Sequence, residues 1–180
     1  MVDDSILNKL NKIQINLTET EVLDRLLDRR RWPKNYIDDQ PSVEAIKEDG
    51  TKHQDFFDDD YYLNSAQAIN CYEDGYSLIL SNIGGFNHST FLVQEVLNDH
   101  FQRRINCNFY FGNGKKSVSF EKHQHDYPVI VKNIYGTSKW IIDNKEVVLG
   151  NQDVIWFDKN TDHQVIEISD AKLSMTCNIQ

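Results

Sequence analysis

Residues 123–163 read HQHDYPVIVKNIYGTSKWIIDNKEVVLGNQDVIWFDKNTDH, and this stretch decides the fold class. It contains four short runs rich in β-branched and aromatic residues: YPVIVKNI, SKWII, KEVVL and QDVIWF. Turn signals separate them at Tyr135-Gly136, Asp143-Asn144, Leu149-Gly150 and Lys159-Asn160. Working outward, SVSFEKHQ precedes the stretch, while HQVIEI and KLSMTCNI follow it across a Ser169-Asp170 turn. Strands this short and this closely spaced predict a sandwich or barrel.

Further toward the N-terminus, INCNFYF reads as a strand, STFLVQEVLNDHF as a helix capped by Ser89, and YSLILSNI as another strand. The β-rich texture starts at Gly75. Residues 1–74 read as a separate helical or irregular segment packing on the sheet region. In ETEVLDRLLDRRRW, apolar residues recur at helical spacing behind a capping box of Thr18 and Glu21, and Pro33 closes the segment. The run SVEAIKEDG predicts a short helix opening at Ser42 and closing at Gly50. DFFDDDYYLN predicts a loop anchored by its rings, and SAQAINCYEDG a further helix.

Composition narrows the function classes. The chain has 28 acidic and 19 basic residues, a net charge of −9, which disfavours a nucleic-acid footprint. Its one basic cluster, Arg29-Arg30-Arg31, reads as a solvated helix end, with a local anion site as the alternative. No apolar run reaches the roughly 20 residues of a membrane span, and the N-terminus lacks the pattern of a signal peptide. Cys71, Cys107 and Cys177 are odd in number and distant in sequence, so neither a CxxC zinc motif nor a disulfide framework is expected. A reducing, cytoplasmic setting is the expectation.

The histidines carry the chemistry. On a strand, His123 and His125 face the same way, and His163 opens a strand that can lie across from them. Two ligands from one strand and a third from another suit a divalent metal with positions left for substrate. An isolated H-x-H pair is more often a pair of surface residues; the spacings around this one favour the metal. His100 closes a helix, where its charge complements the dipole. His53 and His88 fall in loops.

From Gly75 onward the sequence resembles the JmjC and cupin-like oxygenases, especially the branch of ribosomal-protein hydroxylases. The match rests on Asn108-Phe109-Tyr110, on His123 thirteen residues before Gly136, on Lys139-Trp140, and on Asp153-Val154-Ile155-Trp156-Phe157 leading to His163 ten residues past the Asp. It covers about 105 of the 180 residues. The resemblance implies a double-stranded β-helix (a cupin or jelly-roll barrel) after N-terminal helices. It also implies iron(II), replaceable by nickel or zinc, on His123, His125 and His163, and 2-oxoglutarate as co-substrate. The sequence departs from the family at two places. His125 replaces the acidic second ligand, and Asp158-Lys159-Asn160 replaces a Pro-Pro-Gly turn. Three neutral imidazoles leave the metal its full charge, as in three-histidine cupin dioxygenases. Asp126 has the wrong parity to be a ligand.

A co-substrate carboxylate needs a buried cation and polar donors. One cation candidate is Lys139, one residue past the family position at Ser138. The other is Lys172, whose Lys172-Leu173-Ser174 resembles an anchor on the last barrel strand. On that strand Lys172, Ser174, Thr176 and Asn178 alternate with Leu173, Met175, Cys177 and Ile179, giving a polar face that is either pocket or solvent. Asn108, Tyr110 and Asn133 are expected at the same site, whereas Cys107, Trp140 and Trp156 are expected in the core. Three functions follow. The first is an oxygenase hydroxylating a protein or amino-acid side chain with iron(II), O2 and 2-oxoglutarate. The second is a three-histidine cupin dioxygenase or isomerase of a small anionic metabolite. The third is a non-catalytic ligand-binding cupin. The partners expected are a small-molecule co-substrate and, under the first reading, a protein substrate.

Overall fold

The computed structural model describes residues 2–34, 41–114 and 120–180. In chain order it contains α1 (Asp4–Lys12), α2 (Glu19–Leu26), β1 (Val43–Ile46), β2 (Lys52–His53), α3 (Ser65–Glu73), β3 (Ser77–Leu80), α4 (His88–Phe101) and β4 (Asn106–Gly112). Then follow β5 (Val129–Tyr135), β6 (Ser138–Ile142), β7 (Lys145–Leu149), β8 (Val154–Phe157), β9 (His163–Ile168) and β10 (Lys172–Asn178). Seven strands form one sheet, ordered β2-β1-β3-β4-β10-β5-β8, and three form a second, ordered β7-β6-β9; every pairing is antiparallel. The result is a mixed α/β fold with substantial sheet content.

Strand alternation explains how the layers stack. Cys107, Phe109 and Phe111 of β4, with Leu173, Met175 and Cys177 of β10, enter one core together with Ile6, Leu10, Val22, Leu26, Val93 and Leu97 of the helices. The opposite face of the large sheet turns toward the small one. There Val129, Val131 and Phe157 meet Trp140 and Leu149 in a second cluster. So the polar face of β10 is interior, and the helices cover its apolar face.

Several local readings need correction. Residues 42–50 are no helix: Val43–Ile46 is a fully buried strand paired with both β2 and β3. A strand buried on both faces shows no alternation, and Glu44 is tolerated inside because Lys52 and Gln54 donate to it. Helix α4 is capped by Asn87 rather than Ser89, in a reciprocal capping box with Thr90. His88 therefore begins a helix and His53 lies on a strand, neither in a loop. Trp156 sits on the edge strand β8 and is 37% exposed, so it is not core. The Thr18–Glu21 capping box forms as the sequence indicates.

Candidate metal centre

His163 is the first residue of β9 and is 4% exposed. His123 and His125 are not on a named strand as the sequence suggested. They lie on an extended segment before β5, held to β9 by one isolated bridge in which His123 and His163 exchange both backbone hydrogen bonds, at 3.1 and 2.9 Å. The expected outcome holds all the same, because the His123 and His125 rings both converge on His163. One nitrogen from each of the three rings lies within 4.8 Å of the others.

The tautomers suit metal binding. The Nδ1 of His123 lies 2.8 Å from the Glu121 carbonyl, and that of His163 lies 2.9 Å from the Thr161 carbonyl. A carbonyl only accepts, so each Nδ1 carries the proton and each Nε2 presents its lone pair. Burial pushes the His163 pKa down to about 4, with the other two histidines adding to the effect, and burial also lowers His125. Burial thus favours, for His163 and His125, the neutral form that ligation requires. A metal at about 2.1 Å from each nitrogen needs them roughly 3.0–3.5 Å apart, so the widest pair must close by somewhat more than an ångström. Packed rings limit the directions in which they can turn. Tyr127 stacks on His125 with centroids 5.0 Å apart, Phe157 lies 4.3 Å from His163, and Phe120 lies 5.3 Å from His123.

The three histidines open onto a cavity of about 50 Å3, whose walls include Val129, Val131, Trp140, Phe157, Val165 and Ile168. Its polar groups come from the large sheet: Lys172, Ser174 and Thr176 on β10, Tyr110 on β4 and Ser77 on β3. Lys172 is 5% exposed, its Nζ donates to Ser174 Oγ at 2.6 Å, and burial lowers its pKa to about 7. Burial also raises the Tyr110 pKa, so its hydroxyl stays a neutral donor.

The other sequence candidates lie elsewhere. Asn133 shares the inward parity of Val129 and Val131, but it sits at the far end of β5, where its amide donates to the Gly136 and Gly150 carbonyls at 2.7 and 2.9 Å. Lys139 is on the outer face of the small sheet, paired with Glu146 at 3.0 Å. Ser138 is buried, but its hydroxyl accepts from Trp140 Nε1. Asn108 faces inward beside Thr176, yet its Oδ1 accepts the Asn82 N–H beyond the cavity. Asp126 is exposed, as expected. Trp140, read as core, is buried in the second apolar cluster and also lines the cavity. The ring wall of Phe120, Tyr127 and Phe157 was not legible from spacing, whereas Thr176 could have been found by parity with Lys172 and Ser174.

No protein-family model and no curated protein matches this sequence. Its structure does have solved counterparts. It is similar to YcfD, a ribosomal oxygenase from Escherichia coli, with a TM-score of 0.63 at 10% identity, over 94% of this chain and 45% of that one. A cupin superfamily protein from Desulfitobacterium hafniense matches over 42% of this chain and 66% of its own, with a TM-score of 0.37 at 12% identity. The EutQ protein of Clostridium difficile matches over 57% and 68%, with a TM-score of 0.36 at 16% identity. The chain thus spans less than half the length of the E. coli oxygenase. The likeness to the E. coli protein concerns the fold alone, a mixed α/β architecture with substantial sheet content; the three-histidine cluster capable of coordinating a metal is this chain's own.

Proposed function

We propose that this protein is a metal-dependent enzyme of the cupin class. In this reading residues 75–180 form a double-stranded β-helix on which residues 1–74 pack. His123, His125 and His163 hold a divalent metal, iron by preference, and a small anionic metabolite is oxidised or isomerised without 2-oxoglutarate. The carrying observation is the donor set: three imidazoles converge, and no carboxylate joins them among the described residues. The nearest candidates are occupied or turned away, since Asp162 pairs with Lys122 at 2.7 Å and Asp126 is exposed. A divalent metal there supplies Lewis acidity, and iron adds one-electron chemistry with dioxygen. The chain's own groups do the rest. Lys172 with Ser174 receives a carboxylate, Tyr110 donates a hydrogen bond from its neutral hydroxyl, and the apolar walls exclude water. The cavity's size favours a small substrate.

A 2-oxoglutarate-dependent hydroxylase of a protein or amino-acid side chain is the second reading, supported by the buried Lys172–Ser174 pair inside the same cavity. One experiment separates the two. The iron(II) protein is titrated with 2-oxoglutarate without oxygen, then given air and assayed for succinate; His125→Asp is treated likewise. The favoured reading expects no charge-transfer band and no succinate from the native protein, with weaker binding of small carboxylates in His125→Asp. A band and stoichiometric succinate from the native protein would transfer the assignment to the hydroxylase.

A further inference from the structure

The Arg29-Arg30-Arg31 cluster divides in the structure. Arg29 pairs with Asp58, and Arg30 is exposed. Arg31 is different. Its guanidinium lies 5.5 Å from the Trp32 ring centroid and 5.3 Å from that of Phe86. Arg25 approaches the same Phe86 ring at 5.8 Å. Among the described residues Arg31 makes no ion pair, and its Nε is buried with no hydrogen-bond partner. Burial disfavours the charge and Arg25 adds repulsion, partly offset by Asp28. A charged donor held between rings and left unsatisfied by the described residues is costly unless a further partner completes it.

The space for that partner is present. A cavity of about 230 Å3 is lined by Arg31, Trp32, Ser81, Asn82 and Gly85. Asp24 of α2 and Asp28 just beyond that helix do not line it: both border a neighbouring cavity with Arg25 and Phe86. Gly85 leaves the rim open, since a side chain there would meet nothing within 4 Å. The volume falls below the roughly 300–1,000 Å3 of pockets for drug-sized ligands, so it suits a small ion or a single charged group.

We propose that the cavity between Arg31 and the 81–85 turn is a binding site for a phosphate-type oxyanion, separate from the histidine cluster. Guanidinium has the planar fork for two parallel bonds to an oxyanion. Ser81 and Asn82 line the same cavity, so a tetrahedral anion with several acceptors has more polar residues to meet here than a planar carboxylate would use.

The test titrates the native protein with inorganic phosphate at constant ionic strength, following melting temperature and heat of binding, with acetate in parallel. Because anions can also bind a metal, the titration is repeated on metal-stripped His163→Ala. Saturable phosphate binding is expected in both proteins, weakened about tenfold or more in Arg31→Lys, which keeps the charge but loses the fork. It should weaken in Ser81→Ala, persist in Arg30→Lys, and exceed that of acetate. Binding lost in His163→Ala would assign the anion to the metal centre and overturn the proposal. So would binding unaltered in both Arg31→Lys and Ser81→Ala, or no saturable binding in the native protein.

Discussion

Lys172 is a lysine almost without water, and among the described residues its ammonium donates to a serine hydroxyl. Its pKa of about 7 sits far below the ~10.4 of a free lysine. Below pH 7 both folded and unfolded chains carry the proton, and the folded state bears the full cost of a buried charge. Between pH 7 and about 10.4 only the unfolded chain still holds it, so stability rises with pH across that window. The gain from pH 7 to 9 is about 2 kcal/mol for this group alone. Lys132, lowered to about 8 by burial, adds in the same direction above pH 8. Urea denaturation at pH 7, 8 and 9 checks this. Lys172→Met should remove most of the rise between 7 and 8 and leave the part due to Lys132. An unchanged slope would mean that Lys172 is not buried as described.

The same residue shows what parity can and cannot say. Sequence alternation placed Lys172, Ser174 and Thr176 on one face, and the structure puts all three in the cavity wall. Parity alone could not say whether that face met solvent or protein, because the layer covering it comes from β6 and β9, whose position depends on long-range pairing. It also misled at Asn133, which has the right parity but lies too far along the strand, where the Gly136 and Gly150 carbonyls take its amide.

Elements were most legible where local chemistry sets them. Asp143 and Asn144 both adopt positive φ, 48° and 64°, the two-residue hairpin that joins β6 to β7. β1 was least legible, since VEAI suits a helix locally and becomes a strand only through neighbours on both sides. The attachment of the N-terminal segment was also invisible in sequence. Gln152, at φ 66° in the turn before β8, accepts from Ile15 N–H and donates to the Ile15 and Ile134 carbonyls, while Lys132 donates to the Leu10 carbonyl near the end of α1. Gln152→Ala removes three hydrogen bonds and leaves buried backbone groups unpaired, which should cost about 2–4 kcal/mol. Limited proteolysis of the variant should cut within residues 1–18 first, with metal content unchanged. Protection equal to the native protein would show that apolar packing of Ile6, Leu10 and Ile15 alone fastens the segment.

At the scale of the whole molecule, the histidine cluster joins parts that otherwise meet along little backbone. The segment carrying His123 and His125 leads into β5 of the large sheet, whereas His163 belongs to β9 of the small one. Apart from the second apolar cluster, the polar contacts described where these two segments meet are few: the His123–His163 pair, Asn160 N–H to the His125 carbonyl, Gln124 to Asp162, and the Lys122–Asp162 ion pair. A metal on all three rings would therefore close a covalent-strength link between the two sheets in the folded state only. Ligand binding confined to the folded state stabilises it with the logarithm of ligand concentration relative to the dissociation constant, about 4 kcal/mol at a thousand times that constant. Adding iron(II), nickel or zinc to stripped protein should raise the melting temperature by several degrees, and a chelator should reverse it. Acidification should release the metal, because all three ligands must stay neutral. His123→Ala with His163→Ala should abolish both the shift and stoichiometric metal by elemental analysis, while far-ultraviolet circular dichroism keeps the native sheet signal. Equal metal and an equal shift in the double variant would place the ion elsewhere and leave the seam held by packing alone.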